Sequence, residues 1–216
     1  RFQADPAEDV DFHSEAGRDG SPVGRALLVL DTGDVDAGWQ RLADCPGVPQ
    51  LDAGVAAAGG RLYRLGGIFA PVSYGDGPHY YNAIDSWEYD PAADAWTRLE
   101  DMPHGSNRRA LTYADRYIVL VAGYRYGWTR LADGTTIPAL SAAEQQQDWR
   151  AMFEDTVLVY DTRTRRLGTA DRLLERTSYP SADVFQDTLY CLGGEGGPRL
   201  WHPATLQIGT VVNPAG

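Results

Sequence analysis

The sequence predicts an all-β protein built from recurring short sheets. Three observations carry this. Glycine, proline and tyrosine are abundant (24, 13 and 12 of 216 residues), the composition of many turns between short aromatic strands. Apolar runs such as residues 117–122 have the length of buried strands. A strand ending in a small-residue pair also recurs along the chain. Hydrophobic residues at 43% and charged residues at 23% are ordinary for a folded chain. The length suits one domain or two small ones.

The copies follow in order. Near the N-terminus, Leu28-Val29-Leu30-Asp31 precedes Trp39-Gln40-Arg41-Leu42 and Pro46, the second half of a unit. Gly59-Gly60-Arg61-Leu62-Tyr63-Arg64-Leu65-Gly66-Gly67 opens the next, and Ser86-Trp87-Glu88-Tyr89-Asp90-Pro91, Trp96-Thr97-Arg98-Leu99 and Met102-Pro103 complete it. Asp115-Arg116-Tyr117-Ile118-Val119-Leu120-Val121-Ala122-Gly123 repeats the opening with Ala in place of one glycine, and Thr156-Val157-Leu158-Val159-Tyr160-Asp161 repeats the second strand. Gln186-Asp187-Thr188-Leu189-Tyr190-Cys191-Leu192-Gly193-Gly194 is the last opening, and residues 199–203 are a degenerate continuation. Trp39 and Trp96 are as far apart as Gly66 and Gly123, so a unit of about 50 residues with loop insertions accounts for the spacing.

With Gly-Gly, Tyr-Asp-Pro, Trp-x-x-Leu and Met-Pro-x-x-x-x-Arg in register, the chain resembles kelch-repeat β-propellers over roughly residues 26–212. The resemblance implies four-stranded blades, with strands a to d in chain order, stacked around an axis. One sheet cannot bury both faces alone, and radial stacking also protects strand edges. The copies divide the chain into an acidic Gly/Pro-containing loop or tail (1–25), a partial blade (26–48) and three blades (49–103, 104–175 and 176–216). Propellers close with 4 to 8 blades. About three and a half blades therefore imply a ring completed by further sequence or by a second chain. Arg1 at the start fits a piece of a longer polypeptide.

Net charge is −11, which argues against a nucleic-acid partner. No apolar run reaches the roughly 18 residues of a membrane span. Cys45 and Cys191 lack metal or disulfide-framework spacing and read as buried thiols. The acidic residues of the first segment fit no calcium loop. No metal or cofactor is implied, and the compartment stays open.

Strand alternation places the b–c segments (68–83 and 124–155) and the d–a segments (103–109 and 176–180) on one face. Long loops on a rigid scaffold are where binding concentrates. The candidates there are Tyr80, Tyr81, Tyr124, Arg125, Tyr126, Trp128, His104, Asn107, Arg108, Arg109 and Tyr179. Aromatic faces stack on sugar rings, and Arg with Asn satisfies a carboxylate or hydroxyls. The same mixture suits a protein partner. The competing structural roles are loop packing for Tyr80, Tyr81 and Trp128, and carbonyl bonding between blades for Arg109.

The string Gly193-Gly194-Glu195-Gly196-Gly197-Pro198-Arg199 resembles the Gly-Gly-Glu…Arg segment of bacterial sialic-acid mutarotases, which are kelch propellers. That resemblance implies Glu195 as acid/base and Arg199 as the anion holder. A turn between strands is the plain alternative. Three functions follow as expectations: a binding module for a carbohydrate, small anionic ligand or protein partner; a cofactor-free sugar mutarotase; and an interaction scaffold.

Overall fold

The computed structural model describes residues 25–50, 52–69, 80–146, 152–196 and 206–210. These form a series of antiparallel sheets. A hairpin of β1 (Leu27–Leu30) and β2 (Trp39–Leu42) comes first. The second sheet holds β3 (Asp52–Ala58), β4 (Arg61–Phe69), β5 (Tyr81–Asp90) and β6 (Ala95–Arg98). The third holds β7 (Arg109–Tyr113), β8 (Tyr117–Val121), β11 (Glu154–Asp161) and β12 (Arg166–Thr177). The fourth holds β13 (Ser181–Phe185), β14 (Thr188–Leu192) and β15 (Leu206–Thr210). Consecutive strands pair within each sheet, which is the kelch-type propeller arrangement.

Strand β8 shows why the sheets stack. All five of its residues are buried. Successive side chains point to opposite faces of a strand. Ile118 and Leu120 join Ala56, Tyr63 and Leu65 of the second sheet. Val119 and Val121 join Leu189 of the fourth. The sequence YIVLV is therefore apolar on both faces because both are covered, and the Tyr63 and Tyr160 rings meet across the first of these interfaces at 5.8 Å. The first strands of the sheets are neighbours in turn, β3 beside β7 and β7 beside β13, so the sheets fan out from a shared inner edge.

Two of the small-residue pairs directly follow β8 and β14, whereas Gly66 and Gly67 lie inside β4, where its pairing with β5 shifts register between Leu65 and Gly67. Gly66, Ala122 and Gly193 are left-handed at φ 57°, 59° and 67°. Gly67, Gly123 and Gly194 follow at φ 150°, 123° and 101°. A Cβ on these second residues would come within 2.3 Å of Gln50 Oε1, 2.0 Å of Ser106 Oγ and 2.3 Å of Thr177 Oγ1. The first position can hold Ala at the cost of backbone strain, while the second is closed by contact.

Two expectations about loops are corrected. The segment 124–155 is more than a loop: it carries β9 (Trp128–Arg130), β10 (Thr136–Pro138) and the short α1 (Ala142–Gln145). β9 reaches back and pairs in parallel with β5, Asn82 opposite Thr129. The segment 176–180 begins inside β12, which extends through Thr177 because it pairs with Glu154 at the start of β11. Residues 1–24 of the acidic first segment lie outside the described residues, as do Arg199 and the continuation at 199–203.

Candidate functional site

Each first strand starts where the d–a segment delivers it. Between the starts of β3 and β7 opens a cavity of ≈ 270 Å³. Its polar lining is Asp52, Asn107, Arg108, Arg109 and Tyr179, and Ala53, Val55 and Ala110 form its apolar wall. Three sheets contribute: Asp52 opens β3, Asn107 to Arg109 lead into β7, and Tyr179 precedes β13.

Tyr179 is 54% exposed and left-handed at φ 52°. A bulky residue in that region is strained by about 1–3 kcal/mol. Burial raises its phenol pKa, Asn107 hydrogen-bonds the phenol and lowers it, and the Asp52 and Glu195 carboxylates raise it further. The Tyr179 phenol therefore lies within electrostatic reach of both acids.

Glu195 is fixed by its backbone. Its N–H donates to Ser178 O and its carbonyl accepts from Ser178 N–H, both at 2.7 Å. Its carboxylate also raises the phenols of Tyr124 and Tyr126, after burial, the larger cause in each. Tyr126 stacks on Tyr80 at 5.1 Å and meets Tyr124 edge-on at 4.9 Å. Tyr124 also packs edge-on against Phe153. Tyr80, Tyr124, Tyr126, Tyr179 and Glu195 thus form one cluster beside the cavity.

The other candidates go elsewhere. Arg125, between Tyr124 and Tyr126, is engaged away from the cluster. It donates to Glu144 Oε1 at 2.9 Å, on the N-terminal capping box that Glu144 makes with Ser141. His104 sits near Arg125 and Glu154, its pKa lowered first by burial and then by Arg125, and it does not line the cavity. Tyr81 packs on Phe69, its partner across the β4–β5 ladder. Trp128 is 40% exposed on β9, and its carbonyl accepts from Asn82. Asn107 spends its amide locally: Oδ1 accepts from Tyr124 N–H at 2.6 Å and Nδ2 donates to Ser178 Oγ at 3.1 Å.

The carbonyl-bonding role expected at Arg109 belongs to Arg108. Its Nη1 donates to Thr156 O at 2.9 Å and Ala122 O at 3.2 Å, and its Nη2 is 3.3 Å from Glu154 Oε2. Arg108 is 3% exposed, whereas Arg109 is exposed at the cavity mouth. Arg108 immediately precedes β7 and turns into the third sheet, while Arg109 is the first residue of β7. Arg199, expected opposite Glu195, lies outside the described residues.

Two positions that shape the candidate site carry no motif. Asp52 follows the first d–a segment, whose incomplete upstream copy hides the alignment. Asn82 is a buried amide at the apolar start of β5, and that polar interruption was its one available signal. Among the described residues, no group of His, Cys, Asp and Glu side chains is placed to hold a metal ion, and no helix is long and apolar enough to cross a membrane.

Comparison with known proteins adds the family context. No protein-family model matches the chain. A kelch-like protein of Aspergillus terreus, terF, is 27% identical over 82% of this chain and 34% of its own length. An N-acetylneuraminate epimerase of Brucella melitensis is 25% identical over 86% of this chain and 52% of its own. One from Yersinia enterocolitica is 36% identical over 42% of this chain and 22% of its own. The solved structure of YjhT superposes with a TM-score of 0.62 at 21% identity, covering 81% of this chain and 53% of that one. This chain is a homologue of kelch proteins. It spans about half or less of the length of the curated relatives described here. Its three kelch sheets are thus the scaffold on which the cavity and tyrosine cluster are built.

Proposed function

We propose that the axial cavity and the tyrosine cluster bind a carbohydrate as part of a kelch propeller. The observation that carries this reading is convergence. Side chains from three consecutive sheets meet at one open cavity, with Arg109 exposed at its mouth and Tyr179 on its wall. Phenol faces stack on the C–H faces of sugars, and a free guanidinium pairs with a carboxylate. A volume of ≈ 270 Å³ is at the small end for ligand pockets and suits a single sugar ring. The test is saturation-transfer NMR on the full chain with N-acetylneuraminate and with neutral monosaccharides. Aromatic protons should transfer magnetisation to the bound ring, and Arg109→Gln should weaken the acidic sugar roughly 10-fold more than neutral ones. Absence of transfer to any sugar overturns the reading.

A second reading, catalysis of anomer exchange, is favoured by the placement of Glu195 beside Tyr179 and by relatives named N-acetylneuraminate epimerase. Ring opening needs a proton removed from the anomeric hydroxyl and another delivered to the ring oxygen. Glu195 is the base in this reading. NMR exchange between the anomers of N-acetylneuraminate should accelerate with the chain and lose that acceleration in Glu195→Gln. An unaccelerated wild-type reaction overturns it.

A further inference from the structure

Most of the withdrawn acidic side chains here are spent on arginine. Asp85 pairs with Arg64 at 2.7 Å, Glu88 with Arg165 at 3.0 Å, Glu154 with Arg108 at 3.3 Å and Asp161 with Arg116 at 2.6 Å. Asp52 and Glu195 differ. Both are half-buried, and among the described residues neither carboxylate is tied up by a hydrogen bond. Glu195 holds its place through its backbone alone. Asp52 lines the cavity with Arg109 as its electrostatic neighbour. The Tyr179 phenol, on the same cavity wall, feels both acids. An unpaired carboxylate withdrawn from water is costly unless something else uses it.

We propose that Asp52 is the second proton-transfer group of this site, acting together with Glu195 on a sugar seated against Tyr179. The inference rests on the anomer-exchange reading above and supplies the partner that reading lacks.

The chemistry balances without a cofactor. Glu195, as base, takes the proton of the anomeric hydroxyl, and that O–H electron pair becomes the new carbonyl π bond. The ring C–O bond breaks, its electron pair goes to the ring oxygen, and protonated Asp52 supplies the proton there. Bond rotation then presents the other carbonyl face. On closure the former ring hydroxyl attacks the carbonyl carbon and returns its proton to Asp52, while Glu195 returns its own to the carbonyl oxygen. No proton or electron is gained or lost over the cycle. Withdrawal from water raises the Asp52 pKa above its ordinary 3.8, with Arg109 opposing the rise. That is the direction an acid partner needs. Arg109, exposed at the mouth, stays available for the sugar carboxylate.

The experiment measures anomer exchange of N-acetylneuraminate by NMR with the full chain, at sugar concentrations up to saturation. Asp52→Asn should lower the saturated rate by roughly 100-fold while leaving the half-saturating concentration within about 2-fold. Asp52→Glu should recover part of the rate. Activity retained in Asp52→Asn but lost in Glu195→Gln overturns the assignment of Asp52 and leaves the catalytic reading standing. A shifted half-saturation with an unchanged saturated rate makes Asp52 a binding residue and also overturns the assignment. If the wild-type chain gives no acceleration, the catalytic reading fails and the assignment fails with it. Saturation-transfer contacts would report separately whether sugar binding survives that failure.

Discussion

Asn82 of one kelch sheet grips the backbone of Tyr126 from the next. Its Oδ1 accepts from Tyr126 N–H at 2.8 Å, and its Nδ2 donates to Tyr126 O at 2.8 Å and to Trp128 O at 3.0 Å. Asn82 is fully buried, so these bonds are made away from water. The insertion between β8 and β11 thereby lies over the preceding sheet and delivers Tyr124 and Tyr126 to the cluster beside Glu195. The site depends on a contact between sheets, and its aromatic wall is only as rigid as that clamp.

Asn82→Ala removes both sides of the clamp and leaves the Tyr126 amide without its acceptor. A loss of roughly 2–4 kcal/mol is expected, the scale for stranding buried polar groups. Amide hydrogen exchange should accelerate at Tyr126 and Thr129 before it does in β8. Uniform acceleration across all sheets would mean the insertion is not a separately held unit.

The glycine pairs predict an asymmetry. Gly123→Ala drives a Cβ against Ser106 Oγ in a backbone conformation that side chains avoid, and should cost about 2 kcal/mol or more. Ala122→Gly relieves a left-handed alanine and should be neutral or stabilising by up to about 1 kcal/mol. Urea midpoints at constant slope separate the two. Equal effects would contradict the contact argument.

Much of this fold was legible because its constraints are local and periodic. The unbroken apolar run at residues 117–121 read as a buried strand, and β8 is covered on both faces. The glycine pairs marked crowded positions on the second strands, just past β8 and β14 but inside β4, including the copy with Ala122, because only the second position is sterically closed. The site was less legible. The pairing of β9 with β5 joins residues far apart in sequence through Asn82, and no local pattern encodes that partner. The division of labour between Arg108 and Arg109 turns on one residue of register at the entry to β7. The Met-Pro-x-x-x-x-Arg spacing ends on Arg108, and that spacing is the sequence signal for which of the two adjacent arginines faces inward.

Alkaline titration should find late phenols at Tyr89, at Tyr160 and at Tyr126, which burial raises strongly. Tyr89 is pushed up to about 12 by burial and by the hydrogen bond it donates to Asp94 Oδ1 at 2.7 Å. Tyr160 is pushed up to about 12 by burial beside Tyr63. A phenol held neutral in the folded chain keeps a proton that the unfolded chain loses near pH 10. Stability from these groups is therefore complete below about pH 10 and declines as the pH rises toward about 12. Absorbance of tyrosinate against pH, read with far-ultraviolet circular dichroism, should show the last phenols ionising together with loss of sheet. Full ionisation near pH 10 in a folded chain would contradict the burial of these rings.

Adjacent arginines should separate structure from binding. Arg108 links Ala122 O and Thr156 O within the third sheet and faces Glu154. Arg108→Gln leaves that glutamate without its nearest charge and should cost roughly 3–5 kcal/mol, as breaking one side of a buried pair does. Arg109 is exposed and makes no comparable bonds, so Arg109→Gln should stay within about 0.5 kcal/mol of wild type in denaturant. It should instead lower affinity for an acidic sugar. Because Arg108 is buried and bonded while its neighbour Arg109 is exposed, each variant is the other's control for charge and length. A shared loss of stability would place both in the scaffold. A loss of affinity only in Arg109→Gln would put the carboxylate of the ligand at the mouth of the cavity, where a guanidinium remains free to meet it.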